Sequence, residues 1–112
     1  FKIVGLDSFY KSLHKGFDTH LEPTGKQLSS SNVQKLLIAR SLLNEPALLL
    51  LDEPMKLIAA DDKQFLQNYL FSLKDVTIIF TTNDPSLISK SEMVIHLEKG
   101  SIKSIQNANA SN

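Results

Sequence analysis

Cysteine is absent from the 112 residues. That excludes a disulfide-stapled scaffold and a cysteine-based zinc site, and it suits a reducing compartment. Neither sign of charge is in surplus: 12 Lys and Arg face 12 Asp and Glu. A dedicated nucleic-acid binder carries a basic stripe, so no nucleic-acid partner is expected. No apolar run is long. The longest, Ala47-Leu-Leu-Leu-Leu51, falls far short of the about 20 residues that cross a bilayer as a helix. A secretory leader is not expected either, since Phe1 is followed by Lys2 and mixed sequence. Without an initiating methionine the chain reads as a trimmed or internal piece, and any membrane link is expected from a longer parent or a partner. The three histidines, His14, His20 and His96, lack metal-ligand spacing.

What is present is enough for a core: 42% of residues are apolar, and the length fits one small domain at most. The apolar pattern predicts a helix over residues 5–13, capped by Asp7, with Phe9, Tyr10 and Leu13 inward. Gly16, Pro23 and Gly25 mark residues 14–27 as an irregular connection. A second helix is expected over 32–43, capped by Ser29, Ser30 or Ser31, with Val33, Leu36, Leu37 and Leu43 near one face and Pro46 beyond its end. The unalternating run over 47–52, between Pro46 and Pro54, fits a parallel strand covered on both faces. A third helix follows over 61–74, with Phe65, Leu66, Tyr69, Leu70 and Leu73 as core, and then a second buried strand over 76–80. Pro85 sits at the favoured first position of a short helix ending near Lys90. Strands over 93–97 and 101–105 read as a hairpin joined by Glu98-Lys99-Gly100, and 106–112 as a disordered tail. Strands alternating with helices make an α/β parallel sheet, whose ligands sit beyond the carboxyl ends of the strands. Lys56 and Lys63 read as solvated.

Two local patterns carry chemistry. Leu48-Leu-Leu-Leu-Asp52-Glu53-Pro54 sends two carboxylates out of a buried strand at its open end. One can hold a hydrated Mg²⁺, and the other can orient a water for attack on a phosphoryl group; the plain alternative is a strand-to-helix turn with two solvated acids. Upstream, Leu28-Ser29-Ser30-Ser31-Asn32 opens a helix. Free backbone N–H groups and the positive dipole end converge there, as at an anion site, although taken alone the serines are better explained by simple capping.

In this order and spacing the motifs resemble the ATP-binding cassette (ABC) family. Leu28 to Asn32, Gln34-Lys35 and Ile38-Ala39-Arg40 look like the family's signature motif, usually Leu-Ser-Gly-Gly-Gln, and its helix. Asn44-Glu45-Pro46 and Leu48 to Pro54 look like the stretch that ends in the Walker B strand. Thr77 to Asp84 resembles the switch strand, and Val94 to Ile102 the closing strand pair. Gly16-Phe17-Asp18-Thr19 resembles the lead-in of the exporter-type subgroup.

The resemblance implies a P-loop NTPase-like parallel sheet with flanking helices, incomplete because the N-terminal half with the Walker A loop is missing. Residues 1–27 would close a helical subdomain, and 28–105 would form the C-terminal half of the ATPase core. It implies ATP and Mg²⁺ as cofactors. Asp52 would help hold Mg²⁺ through water, and Glu53 would polarise the attacking water. Ser29, Ser30, Ser31 and Asn32 would meet the γ-phosphate held by a second nucleotide-binding domain in a head-to-tail dimer, and Asn83 would stand at the switch position. The parent would be an ABC exporter at the cytoplasmic face of the membrane, its dimer driving a transmembrane domain; this piece alone would be inactive. Thr24-Gly25-Lys26-Gln27 does not replace Walker A, because Gln27 is neither Ser nor Thr and His20 stands at the first glycine position.

Several positions depart from the family pattern. Ser30 and Ser31 replace both signature glycines, Asn32 is shorter than glutamine, Asn83 replaces a histidine, and Ala59 stands where an aspartate belongs. Asparagine hydrogen-bonds but cannot carry a positive charge. Two readings follow: a regulatory half with little hydrolysis, or an active half that has drifted while keeping Asp52-Glu53. The Walker A strand would lie between strands 76–80 and 93–97. Without it the chain is expected to rearrange, to borrow a strand by dimerising, or to be one piece of a longer protein.

Overall fold

The structure, a computed structural model, describes residues 5–13, 15–20 and 28–108. His14, residues 21–27 (with Thr24 to Gln27) and the tail from 109 lie outside the described residues. Two compact units divide the chain, Phe1–Thr81 and Thr82–Asn112.

In the first unit, helix α1 (Asp7–Ser12) is followed by a 3-10 turn, Gly16–Asp18, helix α2 (Ser30–Leu42), strand β1 (Leu48–Asp52), helix α3 (Ala60–Ser72) and strand β2 (Thr77–Thr81). The strands pair in parallel, with Leu48 opposite Thr77 and Asp52 opposite Thr81. The expected β-α-β unit is therefore present. A parallel pair needs a long crossover, and α3 supplies it. Asp7 does not cap α1, because the cap position falls on Leu6. Asp7 instead pairs with Lys11 one turn on, at 2.8 Å. Its hydrogen bond, and then its charge, raise the Lys11 ammonium above the usual lysine range.

The core of this unit draws on Leu6, Ile38, Leu49, Met55, Ile58, Leu66 and Leu70, all buried. Several residues expected inside are not. Leu37 and Leu43 of α2 are exposed, and so is Phe65 of α3; the inward positions are Lys35 and Ile38, and Leu66, Gln67 and Leu70. In β1 only Leu49 is buried, while Leu48 and Leu50 are 51% and 66% exposed. β2 alternates between exposed and half-buried residues. The apolar sequence of these strands anticipates cover on both faces, and the described residues supply it on one.

In the second unit, Pro85 opens helix α4 (Pro85–Lys90), and Asp84 caps it by accepting the Ser86 N–H at 2.9 Å. Strands β3 (Met93–Glu98) and β4 (Ser101–Asn107) form an antiparallel hairpin. Its two-residue turn places Lys99 and Gly100 at φ 50° and 78°, the left-handed pair that matches strand twist. β4 runs further than expected: the Ala108 N–H still bonds to the Glu92 carbonyl at 2.8 Å, so residues 106–108 are ordered backbone and not tail. Met93, Ile95, Leu97, Ile102 and Ile105 are each at least half exposed.

Among the described residues the strands form two two-stranded sheets, β1-β2 in the first unit and β3-β4 in the second. β2 and β3 are the strands between which the resemblance places a further strand. Each has one edge without a strand partner among the described residues.

Candidate functional site

The ends of β1 and β2 carry the acidic doublet. In-register pairing sets Thr81 beside Asp52. The Thr81 hydroxyl donates to Asp52 Oδ1 and accepts the Glu53 N–H at 3.0 Å. That N–H also reaches the Thr81 carbonyl at 3.1 Å. A hydroxyl has one proton to give and lone pairs to receive, so a single threonine fixes the carboxylate of one acid and the backbone of the next. Sequence reasoning missed Thr81. Its signal was a hydroxyl at the end of the second strand, and reading it required the register.

Glu53 leaves the strand with φ 44°. A left-handed conformation costs a non-glycine residue about 1–2 kcal/mol, so the neighbours must impose it. The Lys56 N–H closes a turn onto the Glu53 carbonyl at 3.2 Å, and Pro54 and Met55 inside that turn are buried. The turn brings Lys56 Nζ to 3.1 Å from Glu53 Oε2. Lys56 is largely exposed, as expected, but it is not simply solvated.

Ser29 caps α2: its Oγ accepts the Asn32 N–H at 3.1 Å. Capping uses a lone pair and leaves the hydroxyl proton available to a ligand. Among the described residues the N–H groups of Ser30 and Ser31 find no acceptor, as expected of a first helical turn. Ser31 is also structural, its Oγ accepting the Ala59 N–H at 3.1 Å. Gln34 Nε2 donates to the Pro54 carbonyl at 3.3 Å. These two bonds tie the serine-tipped helix to the loop that follows Glu53. Replacing Ser29 with alanine is expected to cost about 1 kcal/mol through the lost cap, read as a lower urea midpoint at unchanged slope.

Beneath that helix end, Lys35 is buried. It pairs with Asp62 of α3 and donates to the Gly5 carbonyl at 3.3 Å, joining α2 and α3 to the start of α1. A cavity of about 440 Å³ opens here, lined among others by Ser29, Ser31, Asn32, Lys35 and Asp62. Asp52 and Glu53 do not line it. The first unit therefore presents two separate features, an acidic strand end and a polar helix end. Asn83 belongs to the second unit, where it is exposed just before α4.

No group of three or more His, Asp or Glu side chains among the described residues makes a metal cage. Mg²⁺ asks less, since it keeps several waters and binds through one or two carboxylates plus phosphate oxygens. The hard oxygen donors at the end of β1 fit that demand. Asp52 Oδ1 is oriented by Thr81, and Oδ2 takes no hydrogen bond among the described residues. No helix among the described residues is long and apolar enough to cross a membrane.

Comparison with known proteins identifies the family. The ABC transporter family profile matches residues 6–56. Multidrug resistance protein 1 of Plasmodium falciparum is 33% identical over 97 residues, covering 84% of this chain and 7% of its own length. A putative export ATP-binding/permease protein of Rickettsia typhi is 33% identical over 102 residues, covering 90% of this chain and 18% of its own. Among solved structures, a bacterial Atm1-family ABC exporter with ATP bound superposes with a TM-score of 0.86 at 24% identity, over 97% of this chain and 19% of that one. An ATP-binding cassette solved as a dimer with ADP and Pi superposes with a TM-score of 0.70 at 25% identity, over 78% of this chain and 41% of that one. The chain thus spans less than a fifth of the length of the Plasmodium and Rickettsia relatives.

Proposed function

The chain belongs to the ABC transporter family as part of an exporter-type nucleotide-binding domain, and from that premise we propose that it supplies the water-activating and partner-facing portion of an ATP hydrolysis site. The observation that carries this reading is the Thr81 hydroxyl, which fixes Asp52 and Glu53 together at the open end of a parallel strand pair. A fortuitous acidic turn has no need of such a shared anchor.

In this reading Asp52, oriented by Thr81, would hold a hydrated Mg²⁺, which would supply charge neutralisation at the phosphate oxygens. Glu53 accepts a proton from the attacking water as that oxygen bonds to the γ-phosphorus and the bond to the bridging oxygen breaks, releasing ADP. The serine-tipped end of α2, with Ser29, Ser30, Ser31 and Asn32, meets the phosphate of a second nucleotide-binding domain. The separation of the two features within the first unit supports this, since each is then half of a different pocket. Asn83 serves the switch position as a neutral hydrogen-bond donor. The lysine-bearing glycine loop, the transmembrane domain and the choice of transported substrate come from the rest of the transporter. The site lies at the cytoplasmic face of its membrane, and the 112 residues alone do not hydrolyse ATP.

Serines at 30 and 31 and alanine at 59 favour a second reading, in which this half binds nucleotide and dimerises with little turnover. ATP turnover by the full-length protein, compared with Glu53→Gln, separates the two. A large loss supports the catalytic reading, and equal rates remove Glu53 from its role.

A further inference from the structure

The Glu53 carboxylate is already engaged. Lys56 Nζ lies 3.1 Å from its Oε2, and the backbone turn sets the two residues side by side. The Glu53 N–H is anchored twice on Thr81, the Lys56 N–H closes on the Glu53 carbonyl, and Pro54 and Met55 between them are buried. The two side chains therefore spring from the ends of a fixed turn. Both remain within reach of water: Lys56 is 70% exposed and Glu53 38%. The pair is thus built in but reversible.

We propose that Lys56 is a brake on ATP hydrolysis, a positioning residue whose ammonium holds the Glu53 carboxylate in an orientation that does not serve the attacking water. The proposal rests on Glu53 being the proton acceptor. While Oε2 is tied to Lys56, that oxygen cannot take a proton from water without breaking the ion pair. Hydrolysis runs from the fraction of molecules in which the pair is open. When it opens, a water proton passes to Glu53, the water oxygen bonds to the γ-phosphorus, and ADP departs with the electrons of the broken bridging bond. Exposed pairs bias such an equilibrium by a factor of roughly one to five, so removing the ammonium raises the rate by about two- to six-fold. ATP affinity is unchanged, because Lys56 acts on the carboxylate and not on the nucleotide.

The test is steady-state ATP turnover by the full-length protein carrying Lys56→Met, Lys56→Arg or Glu53→Gln. Lys56→Met is expected to raise kcat about two- to six-fold at constant KM, and Lys56→Arg to keep the wild-type rate. Between about 0.1 M and about 1 M salt the screening length falls from about 10 Å to about 3 Å, so the advantage of Lys56→Met over wild type should shrink. A merely structural lysine would show no such salt dependence. A Lys56→Met protein no faster than wild type, silent when wild type is silent, or faster by a margin indifferent to salt overturns the brake. If Glu53→Gln retains the wild-type rate, the hydrolytic reading itself fails. If Glu53→Gln is silent while Lys56→Met only matches wild type, the brake alone fails.

Discussion

Glutamine at position 53 is expected to lower ATP turnover of the full-length protein by at least about 100-fold while leaving ATP binding intact. A positioned general base contributes roughly 10²- to 10⁴-fold, and an amide cannot accept the proton. Apart from the lost ion pair with Lys56, the substitution changes little else. Glutamine matches the size of glutamate, and the anchoring bonds to Thr81 run through the backbone N–H, which the substitution keeps. Phosphate release measures the rate and equilibrium nucleotide binding measures the affinity. Loss of both together would mean that Glu53 supports the fold and not the chemistry.

The largest expected effect on stability lies at Asp62. Lys35 is only 4% exposed, and Asp62 is its one anionic partner among the described residues. Asp62→Asn keeps the shape but leaves a buried ammonium with little beyond the Gly5 carbonyl. Breaking a buried pair by removing one member costs about 3–5 kcal/mol. Asp62 is 36% exposed, so water recovers part of that, and a loss of about 2–3 kcal/mol is expected. Urea unfolding of the intact nucleotide-binding domain reads it directly. The double substitution Lys35→Met, Asp62→Leu should recover most of the loss, because an apolar pair has no charge to strand. A change in Asp62→Asn below about 0.5 kcal/mol, the size of an ordinary surface substitution, would show that Lys35 is solvated in solution.

Local chemistry was legible in the sequence where it acts over a few residues. A cap among Ser29, Ser30 and Ser31, which falls on Ser29, Pro85 at the head of α4 and a turn within Glu98-Lys99-Gly100 each follow from steric or hydrogen-bonding rules spanning four residues or fewer. The parallel β1-β2 pair followed from two apolar runs separated by a helix. Burial was less legible. Leu50, Leu37 and Phe65 read as core because they are apolar, yet they lie open; an apolar side chain states what it would bury against, not whether that surface belongs to the same stretch of chain. The acidic doublet was visible, but its organiser was not. Thr81 becomes a partner of Asp52 only through a strand register spanning 29 residues. The contact between Lys56 and Glu53 depends on a backbone turn that charge alone does not reveal.

The left-handed backbone at Glu53 sets endurance against performance. Glycine, and to a lesser degree asparagine, occupy φ 44° with less steric penalty than glutamate. Either would relax the turn, and either would discard the carboxylate. Under the role proposed for Glu53, a substitution that relaxes this turn would also remove the proton acceptor, so stability and turnover would move in opposite directions at this position.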